Sequence, residues 1–143
     1  MLPGVIALAA AIGFGLTAAV WTFIASKRKR HAEFAVREPL GAEEIFATYY
    51  ADSGLDKSVV IRLWNECAAK LKIQPEKLRP TDRFKEELAA SNFWASLDDP
   101  RDDLTRYAIG EGKRFGVTID LTGTKTLDEL IRKLAAVEPR PST

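Results

Sequence analysis

Residues 2–26, LPGVIALAAAIGFGLTAAVWTFIAS, run for 25 positions without a charge and stop at four consecutive cations, Lys27, Arg28, Lys29 and Arg30. A chain with such a stretch must cover it. A bilayer core of ~30 Å is crossed by about 20 apolar residues in a helix. Residues 1–26 therefore read as a single transmembrane helix. Lys27, Arg28, Lys29 and Arg30 follow the apolar run and no cation precedes it. By the positive-inside rule the C-terminal side stays in the cytoplasm and the N-terminus lies outside. A signal peptide has the opposite order, with its charge before a shorter apolar core. The reading is thus an uncleaved single-pass anchor in a bacterial inner (cytoplasmic) membrane. Trp21 and Phe23 suit the interface, and the four cations suit anionic head groups of the lipid bilayer.

Within this run Gly4, Ala7, Ala11, Gly15, Ala18, Thr22 and Ala25 recur three or four residues apart. On a helix they share one face, and all are small. Small faces let helix backbones approach closely, so this face is expected to pack against a second copy, giving a homo-oligomer, or against another protein. The bland alternative is an Ala- and Gly-rich composition that produces a stripe by chance.

Residues 27–40 read as a basic connector ending at Glu38-Pro39, and residues 138–143, EPRPST, as a disordered tail. Between them, residues 41–137 form a small helical domain. It carries 15 Lys or Arg against 17 Asp or Glu, mixed along the chain, which argues against nucleic acid as a partner. The single cysteine, Cys67, excludes an internal disulfide. His31, the one histidine, reads as part of the basic cluster.

Periodicity gives the elements. Residues 41–54 begin with acids and end at Gly54, as a helix does. Asp56 caps a second helix in which Val60, Trp64, Cys67 or Ala68, and Leu71 share a face. A long connector, residues 74–88, follows, anchored by Leu78, Phe84 and Leu88. Residues 89–97 read as a short helical turn with Phe93, Trp94 and Leu97 seeking cover. Pro100 opens a further helix in which Leu104, Ala108 and Phe115 face one way. Gly112 leaves a gap on that face, and Gly110 and Gly112 soften the second half of the helix. Residues 115–121 read as briefly extended. Thr126 with Glu129 forms a capping box before Leu127, Leu130, Ile131 and Leu134. The domain is expected to be all-α, a four-helix bundle.

The stretch WASLDDPRDDL, residues 94–104, sets Ser96 beside Asp98, Asp99, Asp102 and Asp103. Four carboxylates can bind a metal, but this spacing is not that of a calcium loop. They can serve as acid and base, but no other catalytic residues accompany them. Aspartate is also favoured at helix starts by capping and the helix dipole. A solvated helix start and a docking patch for a protein are the two readings that remain.

Taken together, from Val59 to Leu134, these elements resemble an acyl carrier protein. Carriers have a phenylalanine, x, two acids and leucine in the long loop; here stands Phe84-Lys85-Glu86-Glu87-Leu88. Their Asp-Ser-Leu motif, late phenylalanine with an extended turn, and threonine-capped last helix are matched by Asp102-Asp103-Leu104, Phe115-Gly116-Val117-Thr118-Ile119 and Thr126-Leu127. The resemblance implies a carrier-like four-helix bundle. The family's phosphopantetheine serine falls on Arg101 or Asp103, neither of which can be esterified. The chain is therefore closer to a group of small bacterial carrier-like proteins of unknown function. Ser96-Leu97-Asp98 offers an alternative alignment, a genuine carrier with phosphopantetheine on Ser96. That alignment puts Pro100 inside the helix, at about 3 kcal/mol.

The functional expectation is a non-catalytic interaction or accessory subunit without a cofactor. It docks a protein partner through Asp98, Asp99, Asp102 and Asp103, as part of a membrane complex.

Overall fold

A computed structural model describes residues 3–89 and 99–139. Among these residues five α-helices follow one another: α1 (Pro3–Ala35), α2 (Ala42–Tyr49), α3 (Lys57–Leu71), α4 (Pro100–Arg114) and α5 (Leu127–Val137), with a 3-10 turn at Pro75–Lys77. Among the described residues there is no strand. One isolated bridge pairs Arg83 with Thr126. The all-α expectation holds.

α3 is the hub, and its sequence explains why. Asp56 accepts the Val59 N–H at 3.0 Å, satisfying a donor that the first turn leaves open. Val60, Leu63, Trp64, Cys67, Ala68 and Leu71 then recur at steps of three and one, and all six are buried. That is a wide apolar face. It meets α2, α4, α5 and the 3-10 turn. The Trp64 indole N–H donates to the Pro75 carbonyl at 3.1 Å, so the ring is buried with its one polar atom partnered. Lys72, with φ of 57°, ends the helix in a left-handed turn.

α5 begins as its sequence predicts. Thr126 accepts from the Glu129 N–H at 3.3 Å, and the Glu129 carboxylate reaches back to the Lys125 N–H at 2.6 Å. The long connector completes this helix start. The Pro80 and Asp82 carbonyls accept from Asp128 and Leu127 at 2.9 and 3.0 Å, and the Phe84 N–H donates to the Lys125 carbonyl at 2.9 Å. Leu78 and Leu88 are fully buried and Phe84 packs against the core, so the three expected anchors hold the loop down.

α4 keeps helical geometry through both glycines, to Arg114. Gly112 is required by contact. A Cβ there would lie 2.6 Å from the Val117 carbonyl oxygen and 2.7 Å from Ile119 Cγ1. The gap expected at Gly112 is where the chain folds back as residues 117–119. Phe115 does not join Leu104 and Ala108 in the core. It caps the helix end, because a residue past the last helical turn no longer shares that turn's face.

α1 departs from expectation. It does not stop near residue 26 but runs through the basic cluster to Ala35. No helix among the described residues is long and apolar enough to cross a membrane. The transmembrane reading of residues 1–26 is corrected accordingly. With it go the single-pass anchor, the inner-membrane location and the outside N-terminus. The physical reason is that uncharged does not mean strongly apolar. Of residues 3–26, 14 are Ala, Gly, Thr, Ser or Pro, which give little on leaving water compared with Leu, Ile or Phe.

The far end of α1 is fastened to the helical body. Phe34 is 5% exposed and belongs to the core. The Arg37 guanidinium lies 4.4 Å from the Phe34 ring centroid and donates to Asp82 Oδ2 at 2.8 Å and to the Lys77 carbonyl at 3.1 Å. Asp82, 2% exposed, also accepts the Arg79 N–H at 2.8 Å. In return the Lys77 ammonium donates to the Ala35 carbonyl at 3.0 Å, and the Leu40 N–H donates to Glu76 O at 2.9 Å. Residues 34–40 are therefore an integral joint.

Candidate docking surface

Of the four aspartates, the three described ones have different surroundings. Asp98 lies outside the described residues, as does Ser96. Asp99 turns inward as the N-cap of α4, its side chain only 7% exposed. Its two oxygens accept the Arg101 N–H at 3.0 Å and the Arg101 Nε–H at 2.6 Å. Arg101 in turn donates Nη1 to the Phe84 carbonyl at 2.7 Å. Asp99 and Arg101 are thus a clasp between α4 and the long connector. Asp103 pairs with Arg106 across one turn at 3.4 Å, and Asp102 points into solvent. Among the described residues no group of His, Cys, Asp and Glu could hold a metal.

Beside this clasp lies a cleft of about 310 Å³, with Phe84, Leu104, Ala108, Leu121 and Leu130 as its apolar wall and Arg101 at its rim. Two of its charged groups, Asp99 and Arg101, are committed to each other.

The buried ionisable groups belong to the core. Cys67 is fully buried, and burial pushes its thiol up to about 12, so the nucleophilic thiolate is absent at neutral pH. Burial, then the Glu111 carboxylate, pushes the Tyr107 hydroxyl up to about 12. Tyr50 is raised by burial and then by Asp128, although among the described residues no hydrogen bond closes on its hydroxyl, nor on that of Tyr107. Arg62 ties three elements together, pairing with Glu111 of α4 at 3.5 Å and with Glu138 just beyond α5.

Several large apolar side chains stand exposed on α1. Ile12, Leu16, Val20 and Ile24 stand four residues apart, and Leu16 is 64% exposed; Trp21 beside them is 72% exposed. Of the expected small-residue face, Gly15, Ala18 and Thr22 are exposed as well. The Thr22 hydroxyl donates to the Ala18 and Ala19 carbonyls at 3.1 and 2.9 Å, so it is turned onto its own helix. For Gly4, Ala7 and Ala11 only the backbone is described. Arg28 and Lys29 are exposed in the basic cluster, whereas for Lys27, Arg30 and His31 only the backbone is described.

The expected partner-binding residues and the exposed apolar stripe are therefore separate features. The i, i+4 spacing of Ile12, Leu16, Val20 and Ile24 was available in the sequence. The Arg37–Asp82 joint and the Arg62 bridge were not legible, since their partners lie 45, 49 and 76 residues away.

No family model matches the chain, and no curated protein or solved structure is similar to it. The acyl-carrier resemblance is corrected on this ground. Its motifs were short, and the structure gives three of them a local cause: a helix cap at Thr126, an acidic helix start at Asp102 and Asp103, and Phe84 seated against the core. Many helical arrangements require the same residues at such places.

Proposed function

We propose that this chain is a non-catalytic protein-docking module that presents the apolar stripe of α1 from a compact helical body. The observation that carries the reading is the exposure of Ile12, Leu16, Val20, Trp21 and Ile24 on a helix whose other end is buried at Phe34. Contiguous exposed apolar side chains mark interaction sites. Anchors at i, i+4 spacing are how one helix lies in a groove or against another helix. The joint at Phe34 and Arg37 holds the helix to the body, so less orientational freedom is lost on binding.

The test is a photoreactive phenylalanine at position 16, with a control at exposed Glu66, in living cells. Crosslinks to protein from position 16 and not from position 66 are expected. Equal yields from the two positions would remove the basis for a docking helix.

A further inference from the structure

We infer that the partner of α1 is a different protein whose apolar groove ends in an acidic rim, with Ile12, Leu16, Val20 and Ile24 filling the groove and Arg28 meeting the rim. This rests on the docking reading of α1 and names the chemistry of its partner.

The stripe does not end at Ile24. Arg28 is the next residue at the same spacing, and it is exposed like the four before it. Side chains four apart are neighbours on a helix. The row from Ile12 to Arg28 is therefore one ridge, about 24 Å long, apolar at four positions and cationic at the fifth. Trp21 broadens its C-terminal half. It stands three residues before Ile24 and seven before Arg28, so Val20, Trp21, Ile24 and Arg28 share an arc of about 100°. The apolar and the charged surface adjoin, on a helix unbroken through Ala35.

The chain itself does not answer that charge. α1 contains Lys27, Arg28, Lys29 and Arg30 against one acid, Glu33. Arg28 and Lys29 are exposed, and among the described residues no ion pair closes on either. A second copy of α1 does not answer it either. In parallel it sets cations against cations, and antiparallel it sets them against the uncharged residues 3–12. Carboxylates placed beside Arg28 steer the encounter and fix the register of the helix in its groove.

Anionic lipid also carries negative charge, but in a different layout. A helix lying in a membrane interface has its charges along one side, opposite its apolar face. In α1 residues 3–26 hold no charge and the cations stand at one end. Apolar and cationic surface succeed one another along the axis. That order matches a groove with a charged end and not a flat layer.

The experiment adds two measurements to the crosslink at position 16, in the full chain and in living cells. In the first, Arg28→Glu and Lys29→Glu are built together into the photoreactive chain. The yield of protein crosslink from position 16 is expected to fall about tenfold or more, because carboxylates then face carboxylates, whereas Arg28→Lys keeps it. Both cations are exposed, so the doubly reversed chain keeps its fold, checked by its far-UV helical signal. In the second, the crosslinked complex is treated with a carbodiimide, which joins an amine to a carboxylate in contact with it. A bond from Lys29 to an aspartate or glutamate of the captured protein is expected. A position-16 crosslink that survives the double reversal overturns the acidic rim, as does a complex in which Lys29 joins no partner carboxylate; in either case the docking reading stands. Capture of a second copy of this chain overturns the different protein. Lipid adducts alone overturn both readings. Equal yields from positions 16 and 66 mean that the docking reading itself has failed.

Discussion

Two residues carry opposite lessons about close packing. Tyr50 is wholly buried, and among the described residues its hydroxyl has no hydrogen-bond partner. An unsatisfied buried hydroxyl is a standing penalty. Tyr50→Phe is expected to leave stability unchanged or raise it by up to about 1 kcal/mol, read from urea unfolding curves. The ring contact with the Arg132 guanidinium, 5.2 Å from the centroid, survives that change. Gly112 is the reverse case. Alanine is normally the better helix former by about 1 kcal/mol. Here its methyl would press on the backbone oxygen of Val117, which cannot swing aside. Gly112→Ala is expected to destabilise by about 1–3 kcal/mol, and the same unfolding curves decide it. A gain in stability would show that residues 117–119 do not pack on α4 as described.

At the scale of elements, the sequence was readable wherever the cause of a structure was local. The caps at Asp56 and Thr126 and the buried face of α3 follow from spacing alone. So do Leu78, Phe84 and Leu88, because a long connector in a small domain needs apolar anchors. What stayed hidden was long-range: which carbonyls receive the first N–H groups of α5, and which arginine finds Asp82. Direct misreadings came from judging a segment by one property. Counting uncharged residues gave α1 a role its many small side chains do not support. Counting aspartates made one patch of four residues whose described members have three separate fates. The turn at residues 83–87 offers a pH test of a contact that the sequence did not announce. The Arg83 side chain and then the Arg83 N–H hold the Glu87 carboxyl down, from 4.5 to about 2. A depressed carboxyl stabilises the fold above its unfolded value, and the contribution is lost as pH falls through the folded one. Stability is therefore expected to decline from about pH 4.5 toward about pH 2. Glu87→Gln is expected to flatten that decline. Identical acid profiles for the two proteins would mean that the Arg83 contact does not persist in solution.

For the whole molecule, the central position of α3 makes Cys67 a reporter of integrity. Its thiol is fully buried and held up by burial, so a thiol reagent reaches it only when the body opens. Labelling is expected to be slow in water and to accelerate with urea in step with loss of helical signal. Prompt labelling of the native protein would contradict the packing around α3. The same body determines what α1 can do. α1 continues without a break from its apolar stripe through the cations to Phe34, and the joint there engages Lys77, Arg79 and Asp82. Trp21 lies 13 residues from Phe34, about 20 Å along the axis. The helix is thus a lever with its fulcrum at the joint. A sideways load at the tip arrives as a torque on the segment whose carbonyls complete the first turn of α5.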